Sequence, residues 1–311
     1  MNKKNDVAIV MINYKTAELV KSAVQSIFDN TKKCSFEVII VDNSNDELEY
    51  AKLADSLKGY EVKIVDPKGN IGFGAGNNYG SKFANSDYLL FLNSDTLLRN
   101  DAISIMHKFI SSHHDVGVVG PNLFKANGDK NNSYERNEKN LKFDCSNYLY
   151  SYFRRKHGKN LYFNSSKSPL EINGYICGAS LMIKRSIFEE LGGFDEDIFM
   201  YAEDSLLCYR VRKEKKLKIY NIPDSEITHL EGASFDKVSA TRAKYIAHGN
   251  YIYYKKCFGD KTATKYLKKT IAKFKQKRFL CRLFKKTSEI ANLNNLIASY
   301  KLELQAKLLS K

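Results

Sequence analysis

Over its first 120 residues the chain alternates short apolar, β-branched runs with amphipathic stretches, and this alternation limits the fold more than any other feature. "VAIVMIN" (7–13) leads into a helical pattern opening at Thr16, and "EVIIVDN" (37–43) into a charged helix around 46–58. "VKIVD" (62–66) precedes a glycine-rich turn and a helix near 76–84, then come "YLLFLN" (88–93), a helix from about Asp101, and "VGVVGP" (116–121). Strands that alternate with helices predict an α/β fold, a mostly parallel central sheet flanked by helices. Ligands of such sheets bind beyond the carboxyl ends of the strands, where "VDN" and "LNSD" both fall.

An Asn-Gly turn at Asn127 and Gly128 opens a polar, aromatic-rich stretch to about Pro169 that reads as an inserted loop region. Regular structure resumes with "GYICGASLMIKR" (174–185) and a helix stopped by Gly192 and Gly193. Two acidic clusters in "FDEDIFMYAEDSLLCYR" stand before and at the start of a further helix, and "LKIYNIP" (217–223) returns as a strand.

The net charge of +15 raises the question of nucleic acid, and its distribution answers it. Residues 236–311 hold 19 Lys and Arg against 4 Asp and Glu, while 31 of each sign balance over the rest. The expected organisation is a balanced, enzyme-like body over 1–235 and a basic helical extension over 236–311. Between Lys261 and Lys286, 11 cations and no acid interleave with Leu267, Ile271, Phe274, Phe279, Leu280, Leu283 and Phe284. That pattern suits either an amphipathic helix on an anionic membrane surface or a solvated helix packed on the body. Ile290, Leu293, Ile297, Tyr300 and Leu304 recur at helical spacing, for a helix packed on the body or a coiled coil that would make a homodimer.

No apolar run approaches the roughly 20 residues that cross a bilayer. The basic opening resembles a secretion signal, but its apolar stretch breaks at Asn13 with no small-residue cleavage site, so it reads as a first strand. Six widely spaced cysteines without a Cys-x-x-Cys pair are expected as reduced cytosolic thiols.

Four polar sites punctuate the body: "VDNSN" (41–45), "NIGFGAGNNYG" (70–80), "LNSD" (92–95) and "YAEDSLLCYR" (201–210). On its own, Asp95 reads first as a turn residue and only second as a carboxylate placed for a metal. Gly72, Gly74 and Gly76 mimic a dinucleotide fingerprint, but that motif belongs in the first strand-helix turn, where "NYKTA" has no glycine. Hydride transfer is thereby disfavoured, and the glycines read as close helix-sheet packing or as a ligand-facing loop.

In order and spacing, "VMINYKT", "VIIVDNSND", "GNIGFGAGNNYG", "YLLFLNSD", "GASLMIKRSIFEELGGFDEDIFMYAEDSLLCYR" and "THLEGAS" resemble the family-2 glycosyltransferases of the GT-A fold. The likeness covers roughly 7–235 and points to the rhamnosyltransferase-like branch that builds bacterial surface polysaccharides such as capsule and O-antigen. The resemblance implies an inverting, metal-dependent transfer from a UDP- or dTDP-sugar, dTDP-L-rhamnose among them, to a hydroxyl of a lipid-linked or oligosaccharide acceptor. Asp42 matches the residue that accepts the N3–H of uracil or thymine, and Tyr14 stands where an aromatic flanks the base. Asn13, Asn43, Asn70, Gly72, Asn78, Asn93 and Ser94 share those motifs and are assigned to the nucleotide-sugar, with Gly178 and Ala179 lining the donor sugar.

Asp95 matches the last aspartate of an Asp-x-Asp metal motif whose first position here is Asn93, and His229 matches a further ligand for Mg2+ or Mn2+. Asp204 matches the catalytic base, with Glu203 as its runner-up, and Leu206 replaces a second aspartate common in relatives. Arg210, seven residues after Glu203 on one helical face, either orients these carboxylates or pairs with them. Asp195 and Asp197, flanking Glu196, are expected at the acceptor. The expected place of action is the cytoplasm, peripheral at the inner face of the cell membrane, without nucleic acid. Two rival classes stand beside this one. A nucleotidyltransferase would need a basic glycine loop in the first turn, and a non-enzymatic membrane- or nucleic-acid-binding protein would leave the ordered Asp42, Asp95, Asp204 and His229 unexplained.

Overall fold

The structure, a computed structural model, describes residues 4–144, 162–230, 238–285 and 287–309. Cys145, residues 145–161 of the expected inserted loop and the "EGAS" of "THLEGAS" lie outside the described residues. Strand β1 (Asn5–Asn13) lies in the middle of the parallel part of the sheet, between β2 (Phe36–Asp42) and β4 (Ser86–Leu92), with β3 (Val62–Val65) beyond β2. Alternation along β1 sends Val7, Ile9 and Met11 to one face and Ala8 and Val10 to the other, each fully buried. A strand buried on both faces must be apolar throughout, which is why "VAIVMI" reads as an unbroken run.

The helices cover both faces. Helix α1 (Ala17–Asn30) buries Ala17, Val20, Ala23, Val24 and Ile27 at three- and four-residue intervals against the Val7 face. Helix α2 (Glu47–Ser56) opens at Asp46, whose side chain accepts from the N–H groups of Leu48 and Glu49. Helix α3 (Phe73–Ser81) starts three residues before the expected position and covers the opposite face. A Cβ on Gly80 would stand 2.6 Å from Val10 and 2.7 Å from Val41, so these glycines let the helix lie directly on the sheet. Gly72, at φ 92°, also borders a cavity.

Beyond β4 the sheet is mixed. After β5 (Thr96–Leu98), helix α4 (Ala102–Ser112) and β6 (Val116–Phe124), the small pair β7 (Tyr134–Glu135) and β9 (Tyr175–Ile176) forms a separate sheet, with the short helix α5 (Leu141–Asp144) and β8 (Leu170–Glu171) between them in sequence. Strand β10 (Ser180–Lys184) runs antiparallel between β4 and β6, and helices α6 (Arg185–Glu190) and α7 (Glu203–Glu214) follow. Strand β11 (Lys218–His229) runs parallel to β6, shifts register between Ile222 and Glu226 around Pro223, and continues antiparallel to β5. Its second half, which extends past the expected "LKIYNIP", carries His229 to a position opposite Thr96.

The chain then forms α8 (Ala240–Phe258), α9 (Asp260–Leu283) and α10 (Thr287–Leu309), which pack on one another. Tyr251, Tyr254, Leu267 and Tyr300 share a buried cluster with Ile198, Ala202 and Leu206 from the acidic loop and α7. Leu293, Ile297 and Tyr300 are buried, so the apolar stripe of the last helix is used within the chain. The interleaved apolar residues of α9 divide in two: Leu267, Ile271 and Phe274 face inward, whereas Phe279, Leu283 and Phe284 are exposed.

Candidate active site

The parallel register that pairs Asn13 with Asp42 sets two polar residues side by side at the carboxyl end of the sheet. Asn13 Nδ2 donates to Asp42 Oδ1 at 2.8 Å and lies 3.2 Å from Ser44 Oγ, while Asn13 Oδ1 accepts from the N–H and hydroxyl of Thr16. Asp42 Oδ1 also accepts the Ser44 N–H, and Oδ2 has no partner among the described residues. A buried carboxylate held through one oxygen presents the other as a fixed acceptor. Ser94 Oγ, from the end of β4, meets Thr16 Oγ1 at 3.3 Å and ties the "LNSD" turn to this corner.

Above it is a cavity of about 230 Å³ lined by Tyr14, Asn43, Asn70, Gly72 and Phe73, all expected or adjacent positions. Its remaining wall includes Phe199, Met200, Thr241 and Tyr245. Asn43 Nδ2 donates to the Gly72 carbonyl, and Asn70 Oδ1 accepts the Gly72 N–H, which fix the loop that leads into α3. A side chain on Gly72 would meet the Phe199 carbonyl at 2.6 Å, so only glycine allows the Phe73 N–H to reach that carbonyl.

Asp95 and His229 come together because β5 and the second half of β11 pair. His229 Nε2 lies 3.2 Å from Asp95 Oδ1, both groups largely buried, and the Leu230 N–H donates to the Asp95 carbonyl. The carboxylate oxygen is a hard donor that suits Mn2+ or Mg2+, and the imidazole nitrogen beside it favours Mn2+ of the two. No cluster of three His, Cys, Asp or Glu stands among the described residues, so a cation here would take its remaining ligands from phosphate oxygens and water.

Asp204 stands in the first turn of α7, where the helix dipole favours a carboxylate. Its Oδ2 accepts the Gly178 N–H at 3.0 Å, and Oδ1 accepts from the Ser205 N–H and hydroxyl. One residue on, the Ala179 carbonyl accepts the Asn93 N–H, so the Gly178–Ala179 segment bridges Asp204 to the "LNSD" turn. Glu203 points instead into the protein, with Oε2 buried and without a hydrogen-bond partner among the described residues. Burial, and then the neighbouring Asp204 charge, push its carboxyl up to about 8. The two preceding residues, Tyr201 and Ala202, take left-handed φ of 72° and 80°, a conformation disfavoured for residues with a Cβ. The carbonyl of Tyr201 is accommodated by Gly249 of α8, where a Cβ would stand 2.0 Å away.

Four expected residues are engaged differently. Asn78, expected at the nucleotide-sugar, donates to the Phe194 carbonyl and to Glu196 and accepts the Phe194 N–H, so its whole amide fastens the acidic turn to α3. Asp195 and Asp197 both pair with Lys256 of α8, at 3.1 and 2.9 Å. Their charge is thus met by the chain's own helix, and Lys256 and Asp197 shift each other toward the charged forms, chiefly through their hydrogen bond. Arg210 pairs with Glu214 one turn on, not with Glu203 or Asp204. Sequence reasoning missed Phe199, Thr241 and Tyr245. Phe199 lies only two residues from "YAED", but nothing local marks Thr241 or Tyr245 as cavity residues.

The model of "Glycosyl transferase family 2" matches residues 8–192. The low-salt glycan biosynthesis hexosyltransferase Agl10 of Haloferax volcanii is 27% identical over 68% of this chain and 62% of its own. Rhamnosyltransferase WbbL of Escherichia coli is 24% identical over 66% of this chain and 76% of its own. The N-acetylglucosaminyl-diphospho-decaprenol L-rhamnosyltransferase of Mycobacterium tuberculosis is 24% identical over 62% of this chain and 66% of its own. The aligned stretch thus covers under two thirds of the archaeal relative's length.

In fold, the chain is similar to the mannosyltransferase PcManGT of Pyrobaculum calidifontis, solved with GDP-Man and Mn2+: TM-score 0.58, 14% identity, 98% of this chain and 88% of that one. It is also similar to GalNAc-T7, solved with UDP, GalNAc and Mn2+: TM-score 0.57, 15% identity, 82% of this chain and 51% of that one. The expected GT-A architecture is the one observed. With a family match through more than half of its length on a sheet of that architecture, this chain belongs to glycosyl transferase family 2.

Proposed function

We propose that the enzyme transfers a sugar, with inversion, from a UDP- or dTDP-sugar to a hydroxyl of a lipid-linked or growing polysaccharide acceptor. The observation that carries this reading is the Gly178–Ala179 bridge, which ties the Asp204 carboxylate to the "LNSD" turn where the central strands β4 and β10 meet. The Asp42 carboxylate receives a base N–H, and Tyr14 and Phe73 flank the ring. Asp204 takes the acceptor proton as the acceptor oxygen bonds to the anomeric carbon. The bond from that carbon to the diphosphate breaks, and the nucleoside diphosphate leaves.

Asp95 and His229 are the residues that would hold a divalent cation, and such a cation supplies Lewis-acid stabilisation of the departing diphosphate. The Mn2+ in both solved neighbours supports that assignment. Two relatives named rhamnosyltransferases support a deoxyhexose donor, and one named for a diphospho-decaprenol substrate supports a lipid-linked acceptor. Exposed Phe279, Leu283 and Phe284 beside Arg282 and Lys285 support peripheral binding to an anionic membrane surface.

Calorimetric titration with UDP-, dTDP- and GDP-sugars, with and without Mn2+, tests the reading. Binding of a pyrimidine diphosphate sugar that tightens with Mn2+ is expected. Failure of every pyrimidine diphosphate to bind would overturn it.

A further inference from the structure

The cavity lined by Tyr14 and Asn43, the latter next in sequence to Asp42, is closed from outside the stretch matched by the family model. Phe199, Met200, Thr241 and Tyr245 all follow residue 192, and two of them belong to α8 of the basic extension. The Tyr245 ring stacks on Phe199 at 4.6 Å with 26° between planes, so the wall is a pair of nearly parallel aromatic rings. Phe199 is itself anchored, because its carbonyl accepts the Phe73 N–H at 2.8 Å. Helix α8 is also fixed in place: Gly249 packs on Tyr201, Lys256 bridges Asp195 and Asp197, and His248 lies 3.2 Å from the Asp197 carbonyl.

Aromatic walls with Asn43, Asn70 and Thr241 among them match a flat heterocycle with polar edges better than a sugar ring or a phosphate. We infer that Tyr245 and Thr241 of the C-terminal extension are nucleobase-binding residues, so that the extension completes the donor site and takes part in selecting the nucleotide. This rests on the glycosyltransferase reading given above. Tyr245, packed on Phe199 through one face, is the aromatic on which the base would stack, and Thr241, exposed and lining the cavity, limits the size of the ring that enters.

The test is titration of the full chain, with Mn2+ present, against UDP, dTDP, GDP and inorganic diphosphate. Tyr245→Ala is expected to weaken UDP or dTDP binding about tenfold, the lower range for removing a stacked aromatic, while inorganic diphosphate binds as before. Tyr245→Phe keeps the stacking face and is expected within about twofold of the parent. Thr241→Trp changes an exposed position, so folding is retained, and its indole fills the cavity and abolishes nucleotide binding. Tyr245→Ala and Thr241→Trp binding UDP and dTDP like the parent, or Tyr245→Ala losing diphosphate and nucleotide equally, would overturn the inference. A parent that binds inorganic diphosphate but no nucleoside diphosphate overturns it as well, together with the functional reading; parent binding with unaffected variants removes this inference alone.

Discussion

At the residue scale, the adjacent carboxylates of Glu203 and Asp204 have opposite environments. Asp204 accepts three hydrogen bonds at the helix start, whereas Glu203 is buried with one oxygen unpartnered among the described residues. Because burial raises the Glu203 carboxyl from 4.5 to about 8, the folded protein keeps a proton there that the unfolded chain gives up. Stability from this group is therefore complete below about pH 4.5 and is lost as pH rises toward about 8. Glu203→Gln, a neutral isostere, is predicted to unfold at higher denaturant than the parent at pH 7, by about 1–3 kcal/mol, with the gap closing near pH 5. Parallel curves for the two proteins between pH 5 and 8 would contradict the burial argument. The sequence places both acids in one motif but carries no sign of their difference, which arises from which side chain faces the interior. Asn78 teaches the same lesson, since its partner at Phe194 lies 116 residues away.

At the element scale, the order of strands and helices through β6 is legible because apolar runs and helical periods are local properties. The short strands β5, β7 and β9 are not legible, for two or three residues carry no period. His229 reaches Asp95 only because β11 continues past its break at Pro223, an extension that no local pattern announces. Helix α8 has the second role that sequence cannot reveal, as a buttress of the strained Tyr201–Ala202 turn. Gly249→Ala sets a Cβ 2.0 Å from the Tyr201 carbonyl and forces either the turn or the helix to move. Overpacking of this kind costs about 1–3 kcal/mol, so we predict a lower unfolding midpoint and slower transfer, because the turn leads directly into Asp204. An unchanged midpoint and rate would mean that the contact is slack. Gly259→Ala, where a Cβ meets nothing, is the control for helix-level loss: its positive φ strains the backbone, but the active-site turn is untouched.

At the scale of the whole molecule, the excess positive charge lies past residue 235, where the described residues form α8, α9 and α10. The exposed Phe279, Leu283 and Phe284 gather where α9 ends, among cations that an anionic surface would attract. Sedimentation with phosphatidylglycerol vesicles is predicted to carry the protein down, less so at high salt. Replacing the three residues by serine is predicted to release it without altering soluble-donor hydrolysis, and equal sedimentation of the triple variant would contradict the assignment. The central claim concerns chemistry at Asp204, and it is tested most directly by measuring nucleoside diphosphate release from UDP- and dTDP-sugars with Mn2+ and a lipid-linked acceptor. The account predicts release by the parent and a loss on the order of 10²–10⁴-fold in Asp204→Asn, with nucleotide binding and the unfolding midpoint retained. Release at the parent rate by Asp204→Asn would contradict it.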